Sequence, residues 1–123
     1  VSWPLALVVE DDVAQANIFR RAVEMAGYVV EHCDTGTAAR EFLAANAPYL
    51  VILDLHVPGI SGADLLAYIR QQPHLQATRV ILATADPRLA EMLEAQSDLV
   101  LLKPVSFVQL RSLAERLKLA ADV

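Results

Sequence analysis

The chain is short of the features that would make it secreted, membrane-bound or nucleic-acid-binding. Its single cysteine, Cys33, cannot form an internal disulfide, which suits a reducing cytoplasm. The three histidines have no metal-ligand spacing with Cys33. No apolar run approaches transmembrane length. The opening stretch from Val1 to Val9 is apolar but has no basic flank and soon meets three acids, so it reads as a first strand and not as a signal peptide. Positive charge is also scarce. The formal net charge is −5, which argues against nucleic acid as a direct partner. There is no internal repeat and no low-complexity tract.

What is present is 123 residues, 55% of them hydrophobic. That is one domain, expected over 1–123, with enough apolar surface to bury a core without disulfides or structural metal. The chain does not begin with Met and ends soon after its last helix, which fits either a standalone domain or a piece of a longer protein.

Strand and helix signals alternate throughout. Leu5–Val9 is a buried strand stopping at Glu10-Asp11-Asp12. A helix follows from about Val13 to Ala26, with Asp12 and Gln15 as a capping box and Ile18, Ala22 and Met25 as its stripe. Gly27 ends it as a C′ glycine. Tyr28–Cys33 is a second, more polar strand, expected at the edge. Thr35-Gly36-Thr37 leads into a helix that turns Phe42 and Leu43 inward. Tyr49–Asp54 is a run of apolar and β-branched residues, the pattern of a strand buried on both faces. Leu55–Gly59 breaks into a loop. Ser61, with Asp64, caps a third helix running through Ile69, with Leu65, Leu66 and Ile69 buried. Gln71–His74 is a polar exit. Arg79–Thr84 is the fourth strand. Asp86-Pro87 opens a helix to about Ala95. Leu99–Leu102 is the fifth strand, and Ser106 with Gln109 opens a final helix with Phe107, Leu110, Leu113, Ala114 and Leu117 on one face. Five alternating pairs joined by right-handed crossovers imply an α/β fold, a doubly wound parallel sheet with helices on both faces.

Polar residues gather at one edge of such a sheet. The first strand ends in Glu10-Asp11, the third in Asp54, the fourth in Thr84 and the fifth in Lys103. Carboxyl ends of parallel strands share one edge, where ligands bind in open α/β sheets. Three carboxylates brought together repel by about 4 kcal/mol per pair at 4 Å and a dielectric of 20. One lysine cannot neutralise three acids, whereas a hard divalent cation such as Mg²⁺ favours such oxygens. The chemistry that fits is phosphoryl transfer onto an aspartate. Mg²⁺ would take one phosphoryl oxygen, the Lys103 ammonium another, and the Thr84 hydroxyl with a backbone N–H the third. Small Ala85 leaves room beside them.

These residues resemble the receiver (CheY-like) domain of two-component response regulators over nearly the whole chain. Val8–Asp12 is similar to that family's first-strand acid pair, Leu53–Gly62 to its D-x-x-M-P-x-x-x-G phosphorylation segment, and Ala83-Thr84-Ala85 and Leu102-Lys103-Pro104 to its last two strand ends. The resemblance implies a flavodoxin-like five-stranded sheet in the order 2-1-3-4-5. It implies Asp54 as phosphoacceptor, Mg²⁺ on Glu10, Asp11, Asp54 and the His56 backbone carbonyl, and Thr84 with Lys103 as catalytic partners. The phosphodonor would be a histidine kinase or a histidine phosphotransfer domain. The output domain or target is open, and the setting implied is bacterial and cytoplasmic, away from membrane. Catalysis would be limited to self-phosphorylation and slow dephosphorylation, so the domain is not expected to be an enzyme in its own right.

The sequence departs from the family pattern at Val57, which replaces Met, and at Gln96, which stands where a Gly often precedes the fifth strand. It also departs at Val100, where the family usually carries the aromatic that moves with the Thr as the switch. Here the switch pair reads Thr84 and Val100. Three other functions fit these residues less well. A phosphorylation-independent interaction module would have lost Asp54 or Lys103. A haloacid dehalogenase-type hydrolase wants an acid where His56 stands, and a cap domain. A flavin-binding domain wants a Ser/Thr/Gly-rich phosphate loop after the first strand. Asp12 reads as a helix cap, the His56 side chain as a loop group over the site, Cys33 as a packing residue and Trp3-Pro4 as a terminal anchor. His32 and His74 read as surface residues.

Overall fold

The strand that ends at Asp54 is buried at every position, and the sheet is built outward from it. In the computed structural model, which describes residues 3–121 (side chains to 118), five parallel strands are β1 Leu5–Val9, β2 Val29–Cys33, β3 Leu50–Asp54, β4 Arg79–Thr84 and β5 Leu99–Leu102. They lie in the order β2-β1-β3-β4-β5, the flavodoxin-like arrangement expected. The helices are α1 Val13–Met25, α2 Gly36–Ala45, α3 Gly62–Gln71, α4 Pro87–Leu93 and α5 Phe107–Ala121, with short 3-10 turns at Pro73–Leu75 and Glu94–Gln96. No helix among the described residues is long and apolar enough to cross a membrane. Val1 and Ser2, read as part of the apolar start, lie outside the described residues.

Alternation along the strands divides the core into two layers. Ala6, Val8, Leu50, Ile52, Ile81 and Ala83 face α1 and α5, where Phe19, Ala22, Val23, Leu110 and Ala114 meet them. Leu7, Val9, Val51, Leu53, Val80 and Leu82 face the opposite layer, with Leu43, Leu65, Leu66 and Ile69 from α2 and α3. β2 is the exposed edge, as its polarity implies.

Capping behaves as read for α1, α3, α4 and α5: Asp12 accepts from the Gln15 N–H at 2.8 Å, Ser61 from Asp64 at 3.1 Å, Asp86 from the Arg88 and Leu89 amides, and Ser106 from Gln109 at 3.2 Å. Thr35, read only as part of the entry to α2, caps that helix by accepting from the Ala38 N–H at 3.0 Å.

Five local expectations are corrected. The buried stripe of α1 is Ala16, Phe19, Ala22 and Val23, while Ile18 and Met25 stay in solvent. The ring of Phe19 takes the inward face, in the same core layer as Leu110 and Ala114 of α5. Tyr28 precedes β2 and is buried, its hydroxyl donating to the Ala114 carbonyl at 2.8 Å. The polar exit after α3 folds into a 3-10 turn because Leu75 is pulled wholly into the core. Helix α4 stops at Leu93, and the final turn tightens to 3-10 geometry. The Trp3 side chain does not anchor the terminus, being 59% exposed. Pro4 does so through its carbonyl, which accepts from the Val29 N–H at 2.9 Å.

The loop after β3 is closed by Gly62. A Cβ there would lie 2.5 Å from the Leu55 Cα and 2.8 Å from the Asp54 carbonyl oxygen, both rigid backbone. Gly62→Ala must therefore displace the chain that carries Asp54. A loss of about 1–3 kcal/mol is expected, measurable as a lower urea midpoint with an unchanged slope.

Candidate functional site at the carboxyl edge of the sheet

The site is assembled by strand register. Val9 pairs with Leu53, and Asp54 with Ala83, so Glu10 just past β1 and the last residues of β3 and β4 come out side by side. Thr84 in turn pairs with Leu102 of β5, and the Lys103 N–H donates to the Thr84 carbonyl at 2.8 Å. Glu10, Asp54 and Thr84 are buried, and Asp11 is exposed.

Carboxylate oxygens of Glu10, Asp11 and Asp54 lie within 4.8 Å of one another. The Lys103 ammonium donates to Glu10 Oε1 at 3.1 Å and to Asp54 Oδ2 at 3.2 Å. Two backbone amides complete the buried acids: the Asp12 N–H donates to Glu10 Oε2 at 3.2 Å, and the His56 N–H to Asp54 Oδ1 at 3.1 Å. The second bond sets the His56 peptide beside Asp54, while the His56 side chain is exposed. Asp12 stays a cap and is outside the acid cluster. The Thr84 hydroxyl accepts from the Asp86 N–H at 3.0 Å. The structure thus joins Glu10, Asp54 and Lys103 by direct contact, brings Asp11 into the acid cluster and sets Thr84 at the same edge of the sheet.

Val100 lies opposite Leu82 in β5. It is half-buried in the layer that also takes Leu89 and Leu93 of α4. Cys33 is half-buried and packs on the same layer. Its thiol is pushed up by burial and by Asp34 and Glu31, so it stays a thiol and not a reactive thiolate. A separate groove of about 500 Å³ opens near the amino ends of β4 and β5. Its arginines are already engaged, Arg70 and Arg79 meeting Asp98 at 3.2 and 3.3 Å.

Sequence reading missed the histidine rings. His32 and His74 are exposed, as read, yet His32 Nε2 is 2.7 Å from the Glu10 carbonyl oxygen and His74 Nε2 is 2.7 Å from that of Leu43. Their positions in the sequence carried no signal for these contacts, because each partner is a backbone atom on another element.

Charge is unevenly settled in the cluster. Burial first, and then the neighbouring Asp54, push the Glu10 carboxyl up from 4.5 to about 7. Burial acts upward on Asp54 too, but hydrogen bonds from Glu10, the His56 amide and Lys103 outweigh it and hold Asp54 below its ordinary 3.8. Lys103 is held above its ordinary value by the two acids, against the pull of burial. Near neutrality, without a cation, Glu10 therefore retains a proton part of the time. The three carboxylate donors suit a hard divalent cation, which would displace that proton.

A doubly wound 2-1-3-4-5 sheet with paired acids, a central aspartate and a lysine at its carboxyl edge defines the receiver class of signalling domain. The comparisons agree. This chain belongs to the response regulator receiver domain family, which it matches over residues 6–115, and it is a receiver domain of two-component response regulators. It is 36% identical to the probable transcriptional regulatory protein SilR of Salmonella typhimurium, over 85% of this chain and 46% of SilR, so it spans about half of that relative. Among solved structures, it is similar to the signal receiver domain of a signal transduction histidine kinase from Syntrophus aciditrophicus. The identity is 35% and the TM-score 0.84, covering 95% of this chain and 91% of that one. The receiver domain of sensor histidine kinase PA1611 from Pseudomonas aeruginosa, with magnesium in its active site cleft, shares the fold. Its TM-score is 0.83 at 21% identity, over 94% of this chain and 97% of that one.

The raised Glu10 value predicts a pH dependence. Between 4.5 and about 7 the folded, metal-free domain holds a proton that the unfolded chain has released, so stability falls as pH rises through that interval. Asp54 acts only below 3.8 and Lys103 only above 10.5, so neither interferes. Urea unfolding in chelator should show this fall, and Glu10→Gln should flatten it. An equally steep fall in the variant would assign the dependence to another group.

Proposed function

We propose that this domain accepts a phosphoryl group on Asp54 from a phosphohistidine of a histidine kinase or a histidine phosphotransfer domain, and that the phosphorylated form acts on an output domain or target. The observation that carries this reading is the Lys103 ammonium held between Glu10 and Asp54 at 3.1 and 3.2 Å, in an acid cluster at the carboxyl edge of the sheet.

In the proposed reaction Asp54 Oδ attacks phosphorus in line with the bond to the donor imidazole. The P–N bond breaks, and the imidazole leaves with its electron pair. The acids Glu10, Asp11 and Asp54, with the His56 backbone carbonyl, would hold Mg²⁺, the ion found in the cleft of the PA1611 receiver. When bound, Mg²⁺ neutralises charge on the phosphoryl oxygens. The Lys103 ammonium, released from sharing the Asp54 carboxylate, pairs with a second oxygen. The Thr84 hydroxyl, whose oxygen accepts from the Asp86 N–H, would donate its own hydrogen to the third. The chemistry of the domain itself is limited to this transfer and to slow hydrolysis of the acyl phosphate. A cytoplasmic setting follows, where kinase and Mg²⁺ are both at hand.

Incubation with a small-molecule phosphodonor and Mg²⁺ should add one phosphoryl group by intact mass. Asp54→Asn should abolish the adduct, and chelator should suppress it. An adduct of equal yield in the Asn variant would place the acceptor elsewhere.

Val100 bears on the readout. Its short β-branched side chain, packed toward Leu89 and Leu93, has no second packing to adopt, and a switch needs a bistable element. Phosphorylation should draw in Thr84 and Lys103 while transmitting little to α4 and α5. In NMR spectra with a beryllofluoride mimic, shifts should concentrate around Asp54, Thr84 and Lys103 and fade along 88–100 and 106–117. Shifts in those distal segments as large as at the site would show that the switch works without an aromatic.

A further inference from the structure

Beyond the acids themselves, the geometry points to His32 as a positioning residue for the cation site, its Nε2–H holding the peptide that joins Glu10 to Asp11. This rests on the proposed reading of Glu10 and Asp11 as metal ligands and adds a residue that the reading does not include.

The ladder between β1 and β2 is interrupted at the site. In a parallel pair the bonds recur every two residues. Along β1 and β2 the Val29 N–H donates to the Pro4 carbonyl at one end, and the Glu10 N–H to the Cys33 carbonyl, at 3.1 Å, at the other. Continued by two residues, the pattern would send the Thr35 N–H to the Glu10 carbonyl. Thr35 has left the sheet by then, since it caps α2, its hydroxyl accepting from the Ala38 amide. No backbone N–H among the described residues reaches the Glu10 carbonyl in its place.

His32 supplies the missing donor. Its Nε2 lies 2.7 Å from that oxygen. A carbonyl oxygen only accepts, so the acceptor dictates the tautomer with hydrogen on Nε2. Glu10 is thereby held from β2 on both sides, its N–H on the Cys33 carbonyl and its own carbonyl, which belongs to the Glu10–Asp11 peptide, on His32. The plane of that peptide sets the angle between the Glu10 and Asp11 side chains, two of the three acids in the cluster. Glu10 is further held by Lys103 and the Asp12 amide. Among the described residues no hydrogen bond or ion pair holds the exposed Asp11 carboxylate, so its direction depends on the backbone that carries it. Donors that orient metal ligands in this way commonly alter affinity by about 10–100-fold. Because His32 is exposed, water can replace its bond to the carbonyl at little cost in stability. Its removal should therefore be felt in cation binding and not in folding.

The test is Mg²⁺ titration by calorimetry of the parent, His32→Ala, His32→Gln and Asp11→Asn, with melting temperatures of each in chelator. The Gln amide nitrogen is as many bonds from Cα as His Nε2 and also donates. His32→Ala should raise the Mg²⁺ Kd about tenfold with a melting temperature close to the parent's, and His32→Gln should restore most of the affinity. Imidazole ¹⁵N spectra of the metal-free parent should show the Nε2–H tautomer. Parent-like affinity in His32→Ala, or a Gln variant as weak as the Ala variant, would overturn the assignment. If Asp11→Asn also binds as the parent does, the acid-pair reading falls together with it. If only Asp11→Asn is impaired, the reading of the acids stands and His32 has no part in it.

Discussion

One ammonium group between two buried carboxylates holds the business end of this domain together. Lys103 is 49 residues from Asp54 and 93 from Glu10 in the chain, yet it reaches both. Each of the three groups alone would be costly to bury. Together they remain one positive charge short, and Glu10 meets part of the deficit by keeping a proton. A site in that condition favours whatever brings positive charge. That is the electrostatic reason the cluster suits a divalent cation.

That ion cluster depends on register. The two core layers interleave residue by residue along β1, β3 and β4, so slipping any of these strands by one position would turn its apolar side chains to the wrong layer. Burial therefore fixes the register, and register delivers Glu10, Asp54, Thr84 and Lys103 to one edge. Gly62 serves the same end by letting the loop after β3 fold back against the Asp54 backbone. The precision of the site is a by-product of a well-filled core.

The region on the β4–β5 side is held less deeply. Helix α4 has no fully buried residue. It rests on the sheet through the half-buried Leu89 and Leu93, beside Val100. Such lightly packed elements are the ones that open or shift at low cost. With a valine in place of a ring, that mobility is not tied to one side chain with two discrete positions. Movement in this face would have to come from the helix as a whole.

Sequence alone determined the alternation of strands and helices, the caps at Asp12, Ser61, Asp86 and Ser106, and the edge on which the acids fall. These follow from periodicity, from short-range hydrogen bonding and from the rule that parallel strands end on one side, all of which act within a few residues or by topology. The four similar strand ends also made the family legible. Tertiary structure decided which face of α1 is buried, because Phe19 and Ile18 compete for one layer and only the partner helix α5 selects between them. It decided that Leu75 enters the core and that Trp3 does not. It also placed the His32 ring on the Glu10 carbonyl and raised the Glu10 carboxyl toward neutrality. These effects depend on distances between atoms far apart in the chain, and on the water excluded around them, so no local pattern of residues encodes them.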